Sequence, residues 1–117
     1  MLIAVIITEG ARGGKKISAQ QTTNLINKQE AVVLDVRPAN EFSNGHLPNA
    51  INIPIKDFNN RVKELKKHQS SPIIIICKSG QSAGTAGQIL NKEGFEEIYR
   101  LKGGMFEWQS ANLPMVK

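Results

Sequence analysis

Pro72 is followed by four consecutive isoleucines, Ile73 to Ile76, and the run ends on Cys77 and a polar loop, Lys78-Ser79-Gly80-Gln81-Ser82. A β-branched run with no polar alternation suits a strand covered on both faces, as in a parallel sheet. Parallel neighbours require helical crossovers, and the rest of the chain is punctuated accordingly. Ala31-Val32-Val33-Leu34 is a second apolar run, stopped by Asp35 and Pro38. Ala50–Ile53 reads as another short strand, ended by Pro54, and Ile98-Tyr99-Arg100-Leu101 as the last strand. Between them, Ser18-Ala19-Gln20-Gln21 fits a capping box, and Ala19, Thr22 and Ile26 share a helical face to about Asn27. Glu41–Asn44 reads as a helical turn ended by Gly45, and Phe58, Val62 and Leu65 follow at helical spacing. Ala83, Ala86 and Leu90 mark a helix closed by Gly94, within which Gly84 and Gly87 imply close packing on the sheet. Met105 and Trp108 mark a closing helix, entered through a tight turn at Gly103 and Gly104. The alternation predicts an α/β fold: a mostly parallel central sheet flanked by helices on both faces.

At 117 residues there is room for one domain, placed here at residues 15–117. Residues 1–14 differ from the rest, with an apolar Leu2–Ile7 run before a glycine-rich stretch. Three readings stay open for them: an added edge strand, a tail, or the remnant of a preceding segment. Six apolar residues are too few to span a bilayer, and no basic region precedes them as in a signal peptide. A membrane anchor enters only if the native chain extends upstream of Met1. The expected location is the cytoplasm, or the cytoplasmic face of a membrane if such an anchor exists.

The net charge of +5 raises nucleic acid as a partner, but aromatics make up only 5% of the chain and offer no stacking platform. Lys56, Arg61, Lys63, Lys66 and Lys67 read instead as the solvated face of one helix. The single cysteine excludes an internal disulfide and any multi-cysteine zinc site. With only two histidines, His46 and His68, the sequence argues against a metal site, and no cofactor is expected.

Ligands of open α/β sheets bind outside the carboxyl ends of the strands, which singles out Asp35 and Cys77. A buried strand that delivers a cysteine to a short polar loop and then a helix lets loop N–H groups and the helix terminus converge on the sulfur. Such a nest binds anions and favours thiolate over thiol, and Lys78 adds a positive charge. A thiolate so held is a nucleophile, and the same cradle suits the negative charge of a persulfide. On spacing alone, a buried structural cysteine fits equally well.

Three motifs in order give the chain from about Lys15 to Leu113 a family resemblance. They are Leu34-Asp35-Val36-Arg37-Pro38 with Glu41-Phe42 and Gly45 to Pro54; the loop Cys77 to Ser82; and Leu101-Lys102-Gly103-Gly104-Met105-Phe106-Glu107-Trp108. Together they resemble a single rhodanese (sulfurtransferase) domain. The resemblance implies that Cys77 takes sulfane sulfur from a small anionic donor such as thiosulfate. The resulting persulfide passes it to cyanide, or to an external thiol or protein acceptor. Lys78, Ser79, Gly80, Gln81 and Ser82 match the loop whose amides hold the persulfide. Where many members carry an arginine in that loop, this chain has Ser82. Asp35 and Arg37, two apart after a strand, suit either the steering of anionic substrates or, more commonly, the bracing of neighbouring loops, and the resemblance implies for His46 a structural hydrogen-bonding role.

Two other classes compete with the enzyme reading. One is a persulfide carrier or regulatory binding module with little turnover of its own. The other is a related phosphatase or arsenate reductase, which closes a longer loop with an oxyanion-binding arginine. No arginine follows Cys77 before Arg100, so phosphoryl chemistry would lack its transition-state clamp.

Overall fold

The computed structural model describes residues 13–78 and 81–117. Its centre is a five-stranded sheet in the order β1-β5-β4-β2-β3. The strands are β1 (Lys15–Ile17), β2 (Val32–Asp35), β3 (Ile51–Asn52), β4 (Ile73–Ile76) and β5 (Ile98–Leu101). Every pairing is parallel. The isoleucine run therefore occupies the central strand, between β5 and β2, and all four isoleucines are fully buried. Their side chains alternate between two cores, as the strand repeat dictates. Ile73 and Ile75 pack with Leu34, Phe58, Leu65, Ala83 and Leu90 on one face. On the other, Ile74 and Ile76 pack with Ile17, Ala19, Leu101, Met105 and Trp108.

Helices cover both faces. The helix α1 (Ala19–Gln29) opens on the expected capping box: Ser18 Oγ accepts from the Gln21 N–H, and the Gln21 side chain accepts from the Ser18 N–H. Next come α2 (Ala39–Ser43), α3 (Phe58–Arg61), α4 (Gln81–Lys92) and α5 (Gly104–Ser110).

Four features differ from the sequence expectation. The strand β1 was not expected: Lys15-Lys16-Ile17 has one apolar residue, and its pairing with Tyr99, Arg100 and Leu101 makes it a strand. The third strand is shorter than Ala50–Ile53, comprising Ile51–Asn52 alone, because it pairs only with Leu34 and Asp35. The helix expected through Phe58, Val62 and Leu65 is three pieces, a 3-10 turn at Ile55–Asp57, then α3, then 3-10 helix over Val62–His68. All three apolar residues are nonetheless buried, with Lys56, Lys63, Lys66 and Lys67 exposed. Finally, Gly84 packs on the sheet as expected, against Arg100 of β5, whereas Gly87 meets the backbone ahead of β1. A Cβ on Gly87 would overlap the Gly13 backbone, and one on Gly84 would lie 3.1 Å from the Arg100 guanidinium. Arg100 Nε in turn donates to the Gly14 carbonyl at 2.9 Å.

The apolar Leu2–Ile7 run and its alternative readings lie outside the described residues. Among the described residues no helix is long and apolar enough to cross a membrane.

Candidate active site

Cys77 stands at the carboxyl end of β4, 4% exposed, with its side chain packed in the same core as Ile73, Ile75 and Ala83. The start of its loop is held from the opposite side by α5. The Met105 N–H donates to the Cys77 carbonyl at 2.7 Å, and the Phe106 N–H donates to the Lys78 carbonyl at 3.2 Å. A trans peptide is planar with its N–H opposed to its C=O, so the Lys78 N–H points away from α5. This clasp explains the glycine pair. Gly103 and Gly104 both have positive φ, 77° and 60°, making the tight turn expected from the sequence. Gly104 also lies flat against the loop: a Cβ there would sit 2.8 Å from the Lys78 carbonyl oxygen and closer still to that of Cys77.

Of the loop residues expected to form the cradle, Lys78 is exposed, and Ser82 is half-buried in the first turn of α4. Ser79, Gly80 and the side chain of Gln81 lie outside the described residues.

Asp35 and Arg37 form a buried pair, 0% and 7% exposed. Arg37 Nη2 donates to Asp35 Oδ2 at 2.7 Å and Arg37 Nε to Asp35 Oδ1 at 3.0 Å, a bidentate geometry. The same Nη2 donates to the Gly45 carbonyl at 2.8 Å, and the Arg37 N–H to Asp35 Oδ1 at 3.0 Å. The pair thus ties the end of β2 to the turn after α2. Asn52, which the sequence did not single out, completes the brace. Its amide donates to the carbonyls of Asp35 and Arg37, at 2.9 and 3.0 Å.

His46 is engaged elsewhere. Its ring stacks on Phe42 with centroids 3.7 Å apart, and Nδ1 lies 2.7 Å from the Phe42 carbonyl oxygen. A carbonyl only accepts, so Nδ1 carries the proton. The His46 backbone bridges to Val116 near the carboxyl terminus, the structural role expected of it.

Beside the loop opens a cavity of about 310 Å³, lined by Arg37, Glu41, Asn44, Lys78, Met105, Phe106 and Gln109. It joins the first motif to the other two, placing Arg37 and Lys78 on one rim. Met105 was expected only as core. Phe106 and Gln109 were not expected at all, although helical spacing already set Phe106 off the Met105–Trp108 face.

A family model described as "Rhodanese-like domain" matches residues 18–111. The chain is 36% identical to "Uncharacterized protein YibN" of Escherichia coli, covering 100% of this chain and 85% of that protein. It is 35% identical to "Thiosulfate sulfurtransferase GlpE" of Pseudoalteromonas translucida, covering 83% of this chain and 90% of the relative. Among solved structures, a rhodanese-related protein from Thermoplasma volcanium superimposes with a TM-score of 0.78 at 30% identity, over 86% of this chain and 96% of that one.

Proposed function

The chain belongs to the rhodanese-like domain family, and from that premise we propose that it is a sulfurtransferase moving sulfane sulfur through a persulfide on Cys77. One observation carries the reading. Cys77 ends the central buried strand, its carbonyl is clasped by α5, and its neighbour Lys78 lines an open cavity.

In the first half-reaction the Cys77 thiolate attacks the sulfane sulfur of a thiosulfate-like donor. A Cys77 Sγ–S bond forms, the donor's S–S bond breaks, and sulfite leaves with the bonding pair. The positive charge of Lys78 favours approach of such an anion. The amides of Lys78 through Ser82 then hold the charge of the persulfide. Asp35 and Arg37 act as positioning residues, fixing the loop opposite Lys78 through the Gly45 carbonyl. In the second half-reaction a nucleophile takes the outer sulfur, and Cys77 leaves as thiolate. The chain has one cysteine, so the accepting thiol comes from another molecule.

The test is intact mass after incubation with thiosulfate. One sulfur atom should be added, removed again by cyanide, and absent in Cys77→Ala. Absence of the added mass in the unsubstituted protein, or undiminished turnover in Cys77→Ala, overturns the reading.

A further inference from the structure

Phe106 is 71% exposed, an unusual position for a large aromatic and the most exposed large hydrophobic side chain among the described residues. It sits on the rim of the cavity beside Lys78, and its own N–H is bonded to the Lys78 carbonyl. Its place relative to the loop is therefore fixed by the backbone.

The charges around the cavity are balanced. Arg37 is neutralised by Asp35, and the remaining charged lining residues, Lys78 and Glu41, are opposite in sign. Asn44 and Gln109 supply uncharged polar groups, Met105 and Phe106 an apolar wall. Lys78 helps an anion approach the loop, but the cavity as a whole offers no net charge for one. Its size is that of a small-molecule site rather than a macromolecular footprint.

We propose that this cavity receives the sulfur acceptor, that the acceptor is a small thiol without net charge and with an apolar body, and that Phe106 determines its selection. The proposal rests on the sulfurtransferase reading and names the substrate class of its second half-reaction. The acceptor thiolate attacks the outer sulfur of the Cys77 persulfide. A new S–S bond forms on the acceptor, the Cys77 Sγ–S bond breaks, and its electron pair returns to Cys77. The transferred sulfur keeps the negative charge it carried on Cys77, so the acceptor leaves as a persulfide anion and Cys77 as thiolate, and no external oxidant or reductant takes part. While the thiol reacts, its apolar body covers the face of Phe106 and removes that surface from water.

The experiment separates the half-reactions. The full chain is loaded with thiosulfate, freed of donor, and discharged in single turnovers with cyanide, 2-mercaptoethanol, 3-mercaptopropionate or phenylmethanethiol. Rates are referred to thiolate concentration. Phenylmethanethiol should exceed 2-mercaptoethanol in kcat/KM by about tenfold, the scale of partly burying one phenyl ring. The anionic 3-mercaptopropionate should show no such advantage. In Phe106→Ala and Phe106→Gln the aromatic preference should fall to near one, with loading and cyanide discharge within twofold of the parent. Phe106→Tyr should keep it. These are exposed-site changes whose folding a thermal melt verifies.

Absence of the preference in the parent protein overturns the proposal. So does its survival in both truncations, or an equal fall with cyanide. A protein that gains no sulfur from thiosulfate overturns the sulfurtransferase reading and this proposal with it. Normal loading with an acceptor profile blind to Phe106 overturns this proposal alone.

Discussion

Gly104→Ala tests whether the clasp between α5 and the Cys77 loop depends on a missing side chain. At φ 60° an alanine pays about 1–2 kcal/mol for the left-handed conformation alone. The new methyl cannot be accommodated by a rotamer change, because the atoms it meets are the backbone carbonyls of Cys77 and Lys78. Relief requires α5 to retreat, which lengthens the bonds from the Met105 and Phe106 N–H groups, each worth about 1 kcal/mol net. The expected loss is roughly 3–4 kcal/mol, a large share of the ~5–15 kcal/mol that holds a domain of this kind together. At about 4 °C per kcal/mol for this length, the thermal midpoint should fall by roughly 12–16 °C. Gly94→Ala is the comparison. Gly94 also has positive φ, 91°, but its Cβ would meet only the amide end of the Gln69 side chain, which can swing away. That variant should lose about 1–2 kcal/mol, or roughly 4–8 °C. Thermal melts followed by circular dichroism, with urea midpoints as a check, measure both. If Gly104→Ala is no more destabilising than Gly94→Ala, backbone crowding at the loop is not what selects glycine there.

Asp35→Asn leaves the buried Arg37 guanidinium without its counter-charge and should cost about 3–5 kcal/mol in urea denaturation. Adding Arg37→Met should recover part of that loss, and no recovery would mean the pair is not the source of the effect. Glu30 caps α1 at φ 53°, so Glu30→Gly should raise stability by about 0.5–1 kcal/mol, read as a higher urea midpoint. Tyr99 is the one tyrosine of the chain, and partial burial together with its hydrogen bond to Glu97 raises its pKa above the usual 10. A folded value above the unfolded one means that its contribution is complete below the unfolded pKa and lost as pH rises through the folded one. Absorbance titration should show a midpoint above that of the unfolded chain, and Glu97→Gln should lower it.

The isoleucine run, the capping box at Ser18, the three other strand-like segments and the glycine pair before the last helix are local patterns. They determined a parallel α/β fold and the position of Cys77 at a strand end, because strand and helix periodicity and turn chemistry act over a few residues. What the sequence left open involves residues far apart in the chain. Lys15-Lys16-Ile17 carries no strand pattern of its own and becomes β1 only by bonding to β5. Gly87 looks like a helix liability until the Gly13 backbone is laid against it. The Asp35–Arg37 pair was visible as a spacing, but its bond to Gly45 and the support from Asn52 depend on how β2, α2 and β3 meet. The cavity is the extreme case: Arg37, Glu41, Lys78 and Phe106 come from three motifs with no mutual periodicity, brought together by the order β4-β2 and the return of α5. Short-range sterics and burial are written along the chain, whereas a cavity is the space left when non-adjacent elements pack, and only the tertiary structure decides its walls.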